Sequence, residues 1–219
     1  LLFFCLFLII VLILQNYCKE SFQNGVMLNI YDEPLEPCGS SGEMSGSWDQ
    51  NQKCSEIGGG VHQICVKDIS SNTENFSKNT GQDNWSENRN GENHCVCLGA
   101  WSLYSNQNKN SLNNILKCEA IPKISLSADY VSKFSEGWNK WNGLEITDQI
   151  KNGVESLFKN CYKPENAKEK NKKLIQNFCN FAKCVPALKN NNSTTLSANT
   201  KKVKNLYEKH CNNLEKNEN

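Results

Sequence analysis

The chain has 219 residues, with 24 basic against 23 acidic side chains and a net charge of +1, which excludes the long-range positive field of nucleic-acid and anionic-membrane binders. Almost all the positive charge is lysine and Arg89 is the only arginine, so the planar forks that read phosphate and guanine are scarce as well. The apolar content of 38%, part of it in the first residues, suits one ordinary domain, or a small domain with a helical appendage, better than a large dry core.

Leu1 to Leu14 run without a polar side chain, and Gln15 and Asn16 follow. Crossing a hydrocarbon layer of about 30 Å takes about 20 residues, so residues 1–17 read as a signal peptide, cleaved rather than kept as an anchor. The expected place is the secretory pathway, secreted or in an organelle lumen, with membrane contact only through this segment if it stays attached. Twelve cysteines are many for a reduced compartment. Setting aside Cys5 and Cys18 leaves ten disulfide candidates: Cys38, Cys54, Cys65, Cys95, Cys97, Cys118, Cys161, Cys179, Cys184 and Cys211. That even remainder behind a leader reads as a bonded framework. Asn75, Asn84, Asn191 and Asn192 each open a glycosylation sequon, consistent with a lumenal setting.

Residues 25–140 are rich in glycine, tryptophan and cysteine and predict a small α+β cysteine-rich domain. Val61 to Ile69 alternates as a strand does. Cys95 to Tyr104 is a second strand candidate after the turn residues Asn90 and Gly91, and Ile124 with Leu126 suggests a third. Ser127 has the place of an N-cap for a helix carrying Tyr130, Val131 and Phe134, which Gly137 ends.

Residues 141–219 change to helical spacing. Ile146, Ile150, Val154, Leu157, Phe158 and Cys161 share a face, and a second helix opens at Pro164 with Leu174, Ile175, Phe178, Cys179 and Ala182 on its face, stopping before Pro186. Lys189 to Thr200 reads as a polar loop, and Val203, Leu206, Tyr207, His210 and Leu214 as a third helix. Cysteines near the ends of these helices predict a disulfide-stapled helical tail.

Five segments of the first part, PLEPCGSS (Pro34 to Ser41), MSGSW (Met44 to Trp48) with Cys54 after it, GVHQIC (Gly60 to Cys65), NFSKNTGQD (Asn75 to Asp83) and HCVC (His94 to Cys97) followed by Trp101, keep a common order and spacing. In these the chain resembles domain-of-unknown-function family 2237, over about residues 30–136. The resemblance implies no activity, because the family carries none. His94 stands where that family has a tryptophan, Cys54 where it has paired cysteines, polar Asn84 to Asn93 where it has a proline-rich linker, and Asp129 with Tyr130 where it has a threonine and a histidine.

Among chemical constellations, His62 with Cys65, Cys95 and Cys97 is the sharpest, with His94, Cys38 and Cys54 nearby. Thiolates and imidazoles at a tetrahedral centre would hold zinc, but paired C-x-x-C knuckles are missing and C-x-C on a strand serves disulfides equally well. A thiol enzyme is the other alternative, with Cys95 or Cys97 as nucleophile and His62 or His94 tuning it, although no thioredoxin-type C-x-x-C is present. Trp48, Trp85, Trp101, Trp138 and Trp141 suit a carbohydrate or peptide groove, or more simply a core; Trp101 is assigned to the core and Trp85 to the surface. Asp49, Asp68, Asp83 and Glu92 include no close carboxylate pair, Gly58 to Gly60 make a turn ahead of a strand rather than a phosphate loop, and Lys168, Lys170, Lys172 and Lys173 form the wet face of a helix. The reading is a non-enzymatic binding or structural module with a protein or glycan partner, without nucleic acid or cofactor; the alternative is a thiol or zinc-dependent enzyme.

Overall fold

Two mostly buried strands form an antiparallel sheet. In the computed structural model, which describes residues 27–43, 45–54, 62–108, 112–127, 146–163, 168–184 and 197–212, β1 (His62–Val66) pairs with β2 (His94–Cys97). Cys65 lies opposite Cys95 and Val66 opposite His94, while a bulge at Gln63 brings His62 opposite Cys97. The extra residue of a bulge re-aims the side chains next to it, here the His62 end of β1. Together with two short helices, α1 (Ile69–Asn72) and α2 (Phe76–Asn79), and the longer helices below, this is an α+β fold stapled by disulfides.

The strand expected from Val61 to Ile69 stops at Val66. Asp68 takes a left-handed conformation at φ 36°, and its carboxylate accepts the Ser71 N–H to cap α1, so local capping overrides the alternating pattern. The strand expected from Cys95 to Tyr104 is corrected more deeply, because the chain leaves β2 at Cys97 and enters α3 (Leu98–Gln107). A continuous apolar run does not distinguish a strand from a helix sunk in a core, and every residue from Leu98 to Ser105 is buried. Two hydroxyls are satisfied within the helix, Ser102 donating to the Leu98 carbonyl at 2.6 Å and Ser105 to that of Ser102 at 3.2 Å. Ile124 and Leu126 belong to a 3-10 turn, Lys123–Leu126, that follows Pro122 rather than to a third strand. The helix expected after Ser127 lies outside the described residues.

Three amphipathic helices follow: α4 (Ile146–Cys161), α5 (Lys168–Cys184) and α6 (Ala198–His210). Their apolar faces are buried at Ile150, Val154, Leu157 and Phe158, at Leu174, Phe178 and Ala182, and at Val203. The polar loop assigned to Lys189–Thr200 is shorter than expected at its end. Ser197 caps α6 by accepting the Thr200 N–H at 3.1 Å, and Ala198 to Thr200 form its first turn. Pro164, proposed as the start of the second helix, lies outside the described residues.

The helical tail belongs to the same core as the cysteine-rich part. One buried cluster runs from Ile64 and Trp101 through Phe158 to Phe178. α3 packs on both strands and on α4, and Gly153 permits the close approach, since a Cβ there would lie 1.9 Å from Ser102 Oγ and 3.0 Å from its Cα. Tyr31 donates to the Cys161 carbonyl at 2.8 Å, and Asn177 donates to the Ile30 carbonyl at 3.1 Å. Lys170, expected on a wet face, pairs with Glu33 at 3.0 Å and Glu119 at 3.5 Å, while Lys168, Lys172 and Lys173 are exposed. No helix among the described residues is long and apolar enough to cross a membrane.

Candidate functional site at a disulfide-braced cavity

The cysteines join as Cys38–Cys65, Cys54–Cys95, Cys118–Cys161 and Cys179–Cys211. Among the described residues only the last staples two tail helices to each other; Cys161 instead ties α4 to the 3-10 turn Cys118–Ala120 in the first part. Cys97, expected in a disulfide, carries a free thiol, and the side chain of Cys184 is outside the described residues. Disulfides of this number belong to an oxidising, extracellular or lumenal environment.

The first two disulfides both start from the cross-strand pair Cys65 and Cys95. The sulfurs of Cys38, Cys54 and Cys65 lie within 4.8 Å of one another, yet bonded sulfur offers no thiolate to a metal. The alternative zinc set His62, Cys65, Cys95 and Cys97 therefore loses two of its four ligands in this state. What these bonds do instead is hold the strand pair against the segments carrying Cys38 and Cys54. Asn93 reinforces the join, donating from its side chain to the Cys38 carbonyl at 2.7 Å.

Beside this brace lies a cavity of about 230 Å³. It is lined by His62, His94 and Cys97 from the strands, by Ala100 of α3, by Trp85 and Arg89, and by Ser47, Phe76 and Gln82. The Ser47 segment is pinned to the sheet because the Cys95 N–H donates to the Gly46 carbonyl at 2.8 Å. A Cβ on Gly46 would stand 2.0 Å from the Trp48 ring, so glycine is required where that segment passes under the indole.

His94 is 5% exposed. Its Nε2 is 3.0 Å from Ser47 Oγ, and its ring lies 4.4 Å from that of Trp85 at a 34° tilt. Burial, then the electrostatic influence of Arg89 and His62, push its pKa down to about 3, so it is neutral at physiological pH. The buried Nδ1 has no hydrogen-bond partner among the described residues, so the natural tautomer has Nε2–H donating to Ser47. Burial pushes the Cys97 thiol up to about 11, which keeps it protonated at neutral pH and a poor nucleophile.

Trp85, expected at the surface, is only partly exposed and walls the cavity. The 3-10 turn Ser86–Asn88 folds its ring inward, and the buried Ser77 and Ser86 hydroxyls, 3.0 Å apart, fasten that turn to α2. Its indole N–H donates to Gln82 Oε1 at 3.1 Å, and its ring meets Phe76 edge-on at 6.1 Å. Arg89 donates to the Ser45 carbonyl at 2.6 Å and lies 3.4 Å from Glu92. Ser47, Phe76, Gln82 and Arg89 were not singled out from the sequence. The sole arginine of a lysine-rich chain was the one available signal among them.

The remaining candidates take structural places. Trp101 is fully buried and Trp48 packs against the core, whereas Trp138, Trp141 and Gly58 to Gly60 lie outside the described residues. Asp49 and Asp68 accept backbone N–H groups of their own or neighbouring turns, and Asp83 is exposed. Of the sequons, Asn84 is exposed, Asn75 is partly exposed ahead of α2, and Asn191 and Asn192 lie outside the described residues. No protein-family model, curated protein or solved structure matches the chain.

Proposed function

We propose that this chain is a secreted or lumenal protein that acts without catalysis as a binding module, with the cavity lined by β2 and the Trp85 turn as its ligand seat. The observation that carries this reading is the make-up of the wall. The lining combines the partly exposed Trp85 ring with a few polar groups, His62, His94, Arg89, Ser47 and Gln82, the combination by which small-ligand sites fix orientation. The resting chemistry agrees with binding: the thiol is protonated, the buried imidazole is neutral, and no carboxylate lines the cavity among the described residues. Four of the five segments that resemble domain-of-unknown-function family 2237 contribute to this wall, and the fifth supplies Cys38 to the brace. Membership of that family is part of the proposal.

The test is a fragment screen on the full chain, read at the Trp85 indole N–H and the His94 ring by NMR. Small compounds combining a ring with a polar group are expected to shift both resonances saturably. A screen in which no compound shifts either at millimolar concentration would remove the reading.

Thiol chemistry is a second reading, favoured by one observation. Cys97 keeps a free thiol inside the cavity, opposite His62 in the strand register and immediately ahead of α3. Replacing Cys97 by serine separates the two: binding survives if the cavity is a seat, and any turnover vanishes if the thiol is the nucleophile.

A further inference from the structure

The chain's only arginine and two of its three histidines line one cavity, and no acidic side chain does so among the described residues. Near neutrality Arg89 carries a fixed positive charge there, while His94 stays neutral. Their mutual cost is visible at His94, where the fields of Arg89 and His62 add to burial in opposing protonation. Glu92, which is not in the cavity lining, pairs with Arg89 at 3.4 Å. The hydrogen bond to the Ser45 carbonyl holds the guanidinium in place, as a preorganised anion site requires. In the same lining the partly exposed indole of Trp85, backed edge-on by the buried Phe76 ring, offers an apolar surface. The volume, about 230 Å³, is below the roughly 300–1,000 Å³ of sites for drug-sized ligands, so the occupant is one ring with one head group and not an extended chain.

Resting on the reading of this cavity as a ligand seat, we propose that its ligand is a small organic anion, an aromatic ring bearing a carboxylate. The ring lies against Trp85, and the carboxylate meets Arg89 with the imidazole edge of the cavity. This chemistry has two sources, a free metabolite or the C-terminal residue of a partner polypeptide.

Titration of the full chain with phenylacetate and with its neutral isostere phenylacetamide, followed at the Trp85 indole N–H, tests it. Phenylacetate is expected to bind at least about tenfold more tightly, the difference shrinking with salt as ion pairing is screened. Arg89→Gln is expected to bring the two affinities together and Arg89→Lys to restore part of the gap, with near-UV circular dichroism confirming the fold. A peptide ending in phenylalanine, run as free acid and as amide, separates the two sources. Equal affinity for the acid and the amide in the wild-type chain, or tighter binding of benzylamine, overturns the anion assignment and leaves the seat standing. If neither probe nor any fragment of the screen shifts the Trp85 and His94 resonances, the seat falls with it.

Discussion

His94 is kept neutral by burial first and by Arg89 and His62 after it, and that has a consequence for stability. The unfolded chain takes up a proton at this residue below about pH 6.5, while the folded chain refuses it down to about 3. Between those values the unfolded state binds the extra proton, so stability falls as the pH falls. The contribution is complete above pH 6.5 and is lost on the way down to 3, with a slope of at most about 1.4 kcal/mol per pH unit. His210, lowered by burial and then by Lys209, adds in the same direction. In urea unfolding between pH 6.5 and 5.5, His94→Gln is expected to have a shallower slope than wild type; an unchanged slope would show that His94 is protonated in the native state. At Cys97, alkylation by iodoacetamide without reductant is expected to be slow at pH 7 and to accelerate up to about pH 11. Among the described cysteines, peptide mapping should place that label on Cys97 while the eight paired ones stay unlabelled until reduction.

At the scale of elements, the contact of α3 with α4 turns on Gly153. Alanine is a better helix former than glycine by about 1 kcal/mol, but its Cβ would meet backbone as well as side-chain atoms of Ser102, and overpacking costs about 1–3 kcal/mol. Gly153→Ala is therefore expected to lower the free energy of unfolding, and Ser102→Gly in the same chain to recover part of the loss; a stabilised single variant would mean that the two helices are farther apart. The Cys118–Cys161 bond closes a sequence separation of 43 residues, for which the loss of chain entropy in the unfolded state corresponds to about 4 kcal/mol. Replacing both cysteines by alanine is expected to cost about 2–5 kcal/mol in chemical denaturation. The helical periodicity behind α4, α5 and α6 was legible because an amphipathic face repeats locally along the chain. α3 was not, because burial on all sides erases the periodic signal.

At the scale of the molecule, the cysteine-rich part and the helical tail share one core. A fragment ending at residue 140 would expose the α4-facing side of α3 and lose the Tyr31 hydrogen bond to the Cys161 carbonyl, a net loss of about 0.5–1.5 kcal/mol. Such a fragment is expected to unfold without cooperativity and to bind hydrophobic dyes. A sharp, dye-free thermal transition would restore a picture of two independent domains.

The amino-acid order alone determined the α+β class, a disulfide framework and the faces of three amphipathic helices, because composition, cysteine number and a 3.6-residue period are local properties. Tertiary structure decided which cysteines join. It carried Cys161 to Cys118 rather than to another tail helix, and it left Cys97 free while bonding Cys95 two residues away. It also turned Trp85 inward and gathered Ser47, Arg89 and His94 around one cavity. These residues come from separate turns and a strand, so only the folded path brings them together.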